Sequence, residues 1–203
     1  MAKTIADVFI IETLNPDDEG NGRFEGSSIS HLLRLHGKMP RYRYVRTRKC
    51  FESALNDFGV SGYRYLHISA HANSGGMVTT NDEEIAYGEL SDLLTPHLKG
   101  KRLFLSACAM VHDDMAKAII PKTGCYSVVG PSEDIEFATA AVFWPAIYHM
   151  MLSQNGSAMK HPELKENLRR VTDLFGVDIG YYSISKKLKR GYSRNFLFKN
   201  KTN

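Results

Sequence analysis

His71 closes one mostly apolar run, residues 63–71, and Cys108 closes another, residues 101–108. An imidazole titrates near neutrality and can carry a proton, while an ionised thiol is a strong nucleophile. Together they supply the base and the nucleophile of thiol acyl transfer, provided the fold brings them within hydrogen-bond reach. Their neighbours are small: Ser69, Ala70 and Ala72 around the imidazole, Ser106, Ala107 and Ala109 around the thiol. That leaves room for a peptide to approach, and the backbone N–H groups of Ala72 and Cys108 are natural donors for an oxyanion hole.

Competing chemistries fail on spacing. A phosphatase thiol wants an arginine six residues after the cysteine, and that position is Asp114. Papain-like enzymes place cysteine before histidine, the reverse of this order. His67 and His71 form an HxxxH pair that would hold zinc from a helix, but on a strand the two lie about 13 Å apart. HExxH, a GxGxxG after a strand and a phosphate loop with GK[ST] are all absent, so no metal and no cofactor is expected. A flavodoxin-like nucleotide binder loses support for the same reason. Cys50 and Cys125 have no histidine partner and read as core residues.

The elements must then position the pair. Residues 4–11 are strand-like, and the loop NPDDEGNGRFEG follows. Ser27 or Ser28 caps a helix that stops at Gly37. Residues 41–45 alternate basic and aromatic side chains, as in a strand near an edge, and 48–58 have helical periodicity. Strands at 64–69, 102–107 and 125–130 alternate with helices at 89–98, 111–120 and 135–152. A small hairpin is expected around Asn81 and Asp82, an amphipathic helix over 161–175, and one or two strands or a basic arm at the end. Five such alternations predict a mostly parallel sheet with helices on both faces, which puts His71 and Cys108 at strand ends on one edge.

Length, hydrophobicity (43%) and charge (24%) fit one globular domain over residues 1–203. The longest apolar stretch, 140–152, is broken by Pro145 and His149, so it reads as a buried helix and no membrane span is expected. A start without a signal-peptide pattern and three cysteines without a CxxC pair point to a cytoplasmic protein. The net charge of +4 hides two basic segments, 34–49 and 186–203, each with seven Lys or Arg and no acid. These could attract nucleic acid or an acidic partner, or form a solvated edge and tail.

The blocks SAH (69–71), LSAC (105–108), TGCYSVVG (123–130) and FATAAVFWPAIYHMML (137–152) resemble the caspase-like cysteine peptidases, most closely the bacterial CHAT branch, which is also similar to separase. The resemblance covers about residues 63–152. It implies a single-domain α/β three-layer sandwich, with His71 as proton carrier and Cys108 as nucleophile acting on a protein or peptide. It also implies a partner or activator in bacterial defence or regulated proteolysis, because 108–122 holds no room for a cleavable linker. Specificity loops of the family correspond here to Glu12, Asp17, Asp18 and Glu19, and to Glu133, Asp134 and Glu136. Glu12, Asp17, Glu133, Asp134 and Ser106, which stands where caspases carry glutamine, are therefore the expected substrate-binding residues, and a basic residue before the scissile bond is favoured. One position departs: the family usually has glycine after the histidine, and this chain has Ala72. If that backbone needs φ > 0, alanine costs about 1 kcal/mol or more and misaims the oxyanion donor. Ala72 and the two basic segments together motivate the alternative function, a catalytically silent module that recognises a protein partner through its basic surface.

Overall fold

A computed structural model describes residues 4–73 and 75–197. Seven strands form the main sheet in the order β2 (Arg41–Tyr44), β1 (Ile5–Thr13), β3 (Tyr63–Asn73), β6 (Arg102–Ser106), β7 (Ser127–Pro131), β8 (Ile179–Ile184), β9 (Tyr192–Leu197). The first five run parallel, while β8 and β9 add on antiparallel, so the expected tail is a pair of strands as far as Leu197. The last residues of the basic segment, 198–203, lie outside the described residues. The hairpin β4 (Gly76–Val78) and β5 (Glu84–Ala86) extends antiparallel from the end of β3.

Strand β6 is buried along its whole length, and its side chains split by alternation. Leu103 and Leu105 join one core, with α3 (Arg48–Ser61), α4 (Tyr87–Leu94) and α5 (Asp113–Thr123). Phe104 joins the other, with α2 (Glu25–Leu35), α6 (Phe137–Gln154) and α7 (His161–Phe175). A strand covered on both faces reads as a continuous apolar run, which is why KRLFLSA was recognisable. β2, with every second residue exposed, is the edge that its alternation predicts.

The loop after β1 departs from expectation. It folds into a short helix α1 (Pro16–Gly20), whose cap Asn15 accepts from the Asp18 N–H at 2.7 Å. Helix α2 starts at Glu25 rather than behind a serine cap, and Ser27 and Ser28 lie inside it. The orphan Gly26 N–H is taken by Glu12 Oε1 from β1 at 2.7 Å, while the Tyr42 hydroxyl donates to Glu12 Oε2 at 2.6 Å. Glycine is required there, since a Cβ would stand 2.9 Å from Ile10 Cγ2. Glu12 is therefore a buried helix anchor and does not line the pocket shared by His71 and Cys108. Burial pushes its carboxyl up to about 7, against the lowering effect of its bonds.

The loop leaving β6 is held against the sheet by its backbone: Ala109 N donates to Glu133 O at 3.0 Å and Val111 N to Pro131 O at 2.8 Å. Two glycines permit this approach. A Cβ on Gly130 would strike the Leu105 carbonyl and lie 2.6 Å from Val111 Cγ2, and one on Gly180 would strike the Val111 carbonyl. Asp113, the first residue of α5, accepts from Tyr192 Oη at 2.8 Å and Arg194 Nη2 at 3.3 Å, tying β9 to this loop.

The Glu12 anchor yields a pH prediction. Its folded pKa of about 7 lies above the ordinary 4.5, so the folded chain holds a proton that the unfolded chain releases between those values. Its contribution is complete below pH 4.5 and declines as pH rises to 7, by up to about 3 kcal/mol. Glu12→Gln can still accept from the Gly26 N–H, can donate its amide N–H to Tyr42 Oη in place of the bond it accepted, and has no proton to lose. Urea unfolding at pH 5 and pH 8 should show a shallower loss for the variant, which becomes the more stable protein at pH 8; identical slopes would contradict the assignment.

Candidate active site

The ladder between β3 and β6 ends at the pair Ser69 and Ser106. His71, still within β3, and Cys108, in the turn just past β6, each follow two residues later, and neighbouring strands lie about 4.8 Å apart. Both line one open pocket of about 90 Å³, together with Leu14, Ile135 and Phe137. Cys108 is half-buried, and its Sγ donates to the Ile135 carbonyl at 3.5 Å. Ile135, Phe137 and Ala140 bring the start of α6 to the wall, so the positive end of that helix borders the pocket.

His71 is half-exposed, and its Nε2 donates to Asp18 Oδ2 at 2.6 Å. Asp18 is nearly sealed, and its other oxygen accepts from Arg23 Nη1 at 2.7 Å. Burial alone would raise this carboxyl, but the bonds from Arg23 and His71 outweigh it and hold the group below the usual range. Of the acids in α1 it is Asp18 that reaches the site; Asp17 is exposed, accepts from the Asn21 side chain and does not line the pocket.

The pocket's carboxylate is Glu25, the first residue of α2, in a stretch whose Asn, Asp and Gly content predicts a loop. Its side chain is 2% exposed, and Oε2 accepts from Ser69 Oγ at 3.1 Å and Ser106 Oγ at 2.9 Å. Oε1 has no hydrogen-bond partner among the described residues and lies 3.8 Å from His67 Nε2. Ser106 thus lines the pocket as expected, while Glu133 and Asp134 have exposed side chains outside it. The loop that carries them supplies Ile135 and Phe137 instead.

Ala72 lies extended in β3, paired with Met77. Among the described residues the only non-glycine positions with positive φ are Asp82, in the hairpin turn, and Ala109 at 48°. The strain feared at Ala72 is absent and instead occupies the residue after the thiol, where the chain turns sharply. His67 is fully buried against Tyr148 and Trp144, and no cluster of three His, Cys, Asp or Glu able to hold a metal occurs among the described residues. Cys125 is buried, which pushes its thiol up to about 12, whereas Cys50 is exposed on α3 rather than in the core. Three of the seven basic residues of segment 34–49 are paired locally: Arg43 with Asp57, Arg46 with Glu19, and Arg48 with Glu52 and Glu89. No helix is long and apolar enough to cross a membrane among the described residues.

No family model matches the sequence, and no curated protein matches it. Solved structures do match. A secreted C11 cysteine protease from Bacteroides thetaiotaomicron, iotapain, aligns with TM-score 0.63 and 11% identity over 90% of this chain and 67% of its own. A secreted C11 cysteine protease from the same organism, in complex with an irreversible peptide inhibitor, gives 0.57 and 10% over 88% and 66%. The Arg-specific cysteine proteinase gingipain R gives 0.55 and 14% over 82% of this chain and 42% of its own. This chain thus spans between about two fifths and two thirds of the lengths of these proteins. At such identities the likeness is one of fold, and the fold is the caspase-like α/β sandwich of these cysteine proteases.

Proposed function

We propose that this chain is a cysteine endopeptidase of the CHAT branch that cleaves a protein or peptide after a basic residue, working through His71 and Cys108. The observation that carries the reading is positional: the imidazole and the thiol each stand two residues past the Ser69–Ser106 rung and line one pocket floored by Glu25. In the first step Cys108 Sγ bonds to the scissile carbonyl carbon, and the carbonyl π pair moves to oxygen, facing the N–H groups of Cys108 and Ala72. His71 takes the thiol proton and delivers it to the leaving amine as the C–N bond breaks, giving a thioester. Water, deprotonated by the same imidazole, then hydrolyses the thioester and restores the thiol. Asp18 holds the ring by its far nitrogen and stabilises the imidazolium.

The basic preference rests on Glu25. A buried carboxylate with one oxygen unbonded is costly alone, and a guanidinium or ammonium entering the pocket would satisfy it. The neighbour named as Arg-specific is in keeping with this. Three free thiols suit a reducing compartment, and a protein partner is the proposed activator in a bacterial defence or regulated-proteolysis setting. The silent-module alternative loses the support that Ala72 gave it, because that backbone is unstrained, and rests on the basic segments 34–49 and 186–203.

Three outcomes follow. A peptidyl-arginyl ketone should alkylate wild-type chain and leave Cys108→Ala unlabelled, with hydrolysis reduced at least about 10³-fold; labelling that survives the substitution would sink the proposal. Glu25→Gln retains an acceptor for both serines but not the charge, so kcat/KM for arginyl substrates should fall about 10²-fold while uncharged ones change little; equal losses would refute the basic preference. Asp18→Ala should lower kcat about 10- to 10²-fold with KM little changed, with Asp18→Glu restoring part; an unchanged kcat, or a loss confined to KM, would dismiss the orienting role.

A further inference from the structure

At the opposite end of the sheet, Arg102 opens β6, six residues and about 20 Å along the strand from Cys108. It is 3% exposed and has no carboxylate partner among the described residues. Its Nη1 donates to Ser127 Oγ at 2.5 Å and Tyr181 Oη at 2.9 Å, and Nη2 to the Met159 carbonyl at 2.9 Å, all neutral acceptors. Its Nε is buried with no partner. The guanidinium also lies over the rings of Tyr126 and Tyr181, at 5.1 and 5.9 Å, but a buried cation matched by neutral oxygens and ring faces without a counter-charge is expensive.

Arg102 lines a cavity of about 250 Å³ with Arg64, Tyr126, Lys160 and His161. Arg64 likewise donates only to neutral acceptors, on Thr4 and Ser157. Lys160 caps α7 without a side-chain hydrogen bond and His161 is its first residue, so the first-turn N–H groups of a 15-residue helix, less the one that Pro162 lacks, add partial positive charge. His161 Nδ1 accepts from the Tyr181 hydroxyl at 2.7 Å, which leaves Nε2–H as a further donor. The acid recorded beside these cations is Glu163, 3.7 Å from Lys160. Three cations and a helix terminus against one carboxylate leave a surplus close to two charges.

We infer that this cavity is an anion site for a phosphoryl group, separate from the pocket at Cys108. A tetrahedral dianion matches both the surplus charge and the fork of the Arg102 guanidinium, whose Nε is otherwise orphaned. The group could be free phosphate or the phosphate of a small monoester such as a nucleoside monophosphate; the two share the chemistry that the site recognises.

Calorimetric titration of the full chain with inorganic phosphate and, separately, with AMP tests this, alongside thermal unfolding in each and in sodium chloride at equal ionic strength. Saturable binding is expected, with a rise of several degrees in Tm that chloride does not reproduce. Tighter binding of AMP would assign the site to an ester, and equal binding to the free anion. Arg64→Gln with Lys160→Gln changes solvent-accessible positions and should weaken affinity at least tenfold without loss of fold, and Arg102→Gln should abolish binding. If Arg102→Gln does not fold, the double variant decides. A phosphate effect no larger than that of chloride, or affinity unchanged in the double variant, overturns the inference.

Discussion

Ser69 and Ser106 form the last rung between the two central strands, and both donate to one oxygen of Glu25 at the head of α2. This three-way contact fixes where α2 crosses the sheet, and it sets the depth of the pocket beside His71 and Cys108. Removing a carboxylate from water costs several kcal/mol, and two hydroxyls offset only part of that. The other oxygen is left without a hydrogen bond among the described residues, 3.8 Å from His67 Nε2.

Three acids within one connection illustrate how surroundings divide identical chemistry. Glu12 is sealed away from cations and keeps its proton up to about 7 while capping α2. Asp18 is braced by Arg23 and His71 and stays ionised. Glu25 sits between two serines at the pocket floor. Solvation and partners, rather than residue type, assign each role.

The parallel core was legible because β3 and β6 are buried on both faces and so appear as unbroken apolar runs ending at SAH and SAC. The repeated serine two places before each reactive group was also visible, yet its partner was not. Glu25 lies behind a stretch of Asn, Asp and Gly that carries no periodicity, and its helix is capped by a residue thirteen positions upstream in β1. Long-range caps of this kind leave no local signature, which is why serine caps at 27 and 28 were the natural expectation. Asp18 was hidden similarly, among neighbouring acids that only the α1 turn separates into one facing inward and others outward. The backbone at Ala72 could not be inferred from its neighbours, since its extended shape is dictated by pairing with β4.

Asp113 has a mechanical meaning beyond its ion pairs. It stands five residues beyond the thiol, and its carboxylate grips Tyr192 and Arg194 on the outermost strand. The outermost described strand is thereby tied, through one side chain, to the loop that leaves the thiol and enters α5.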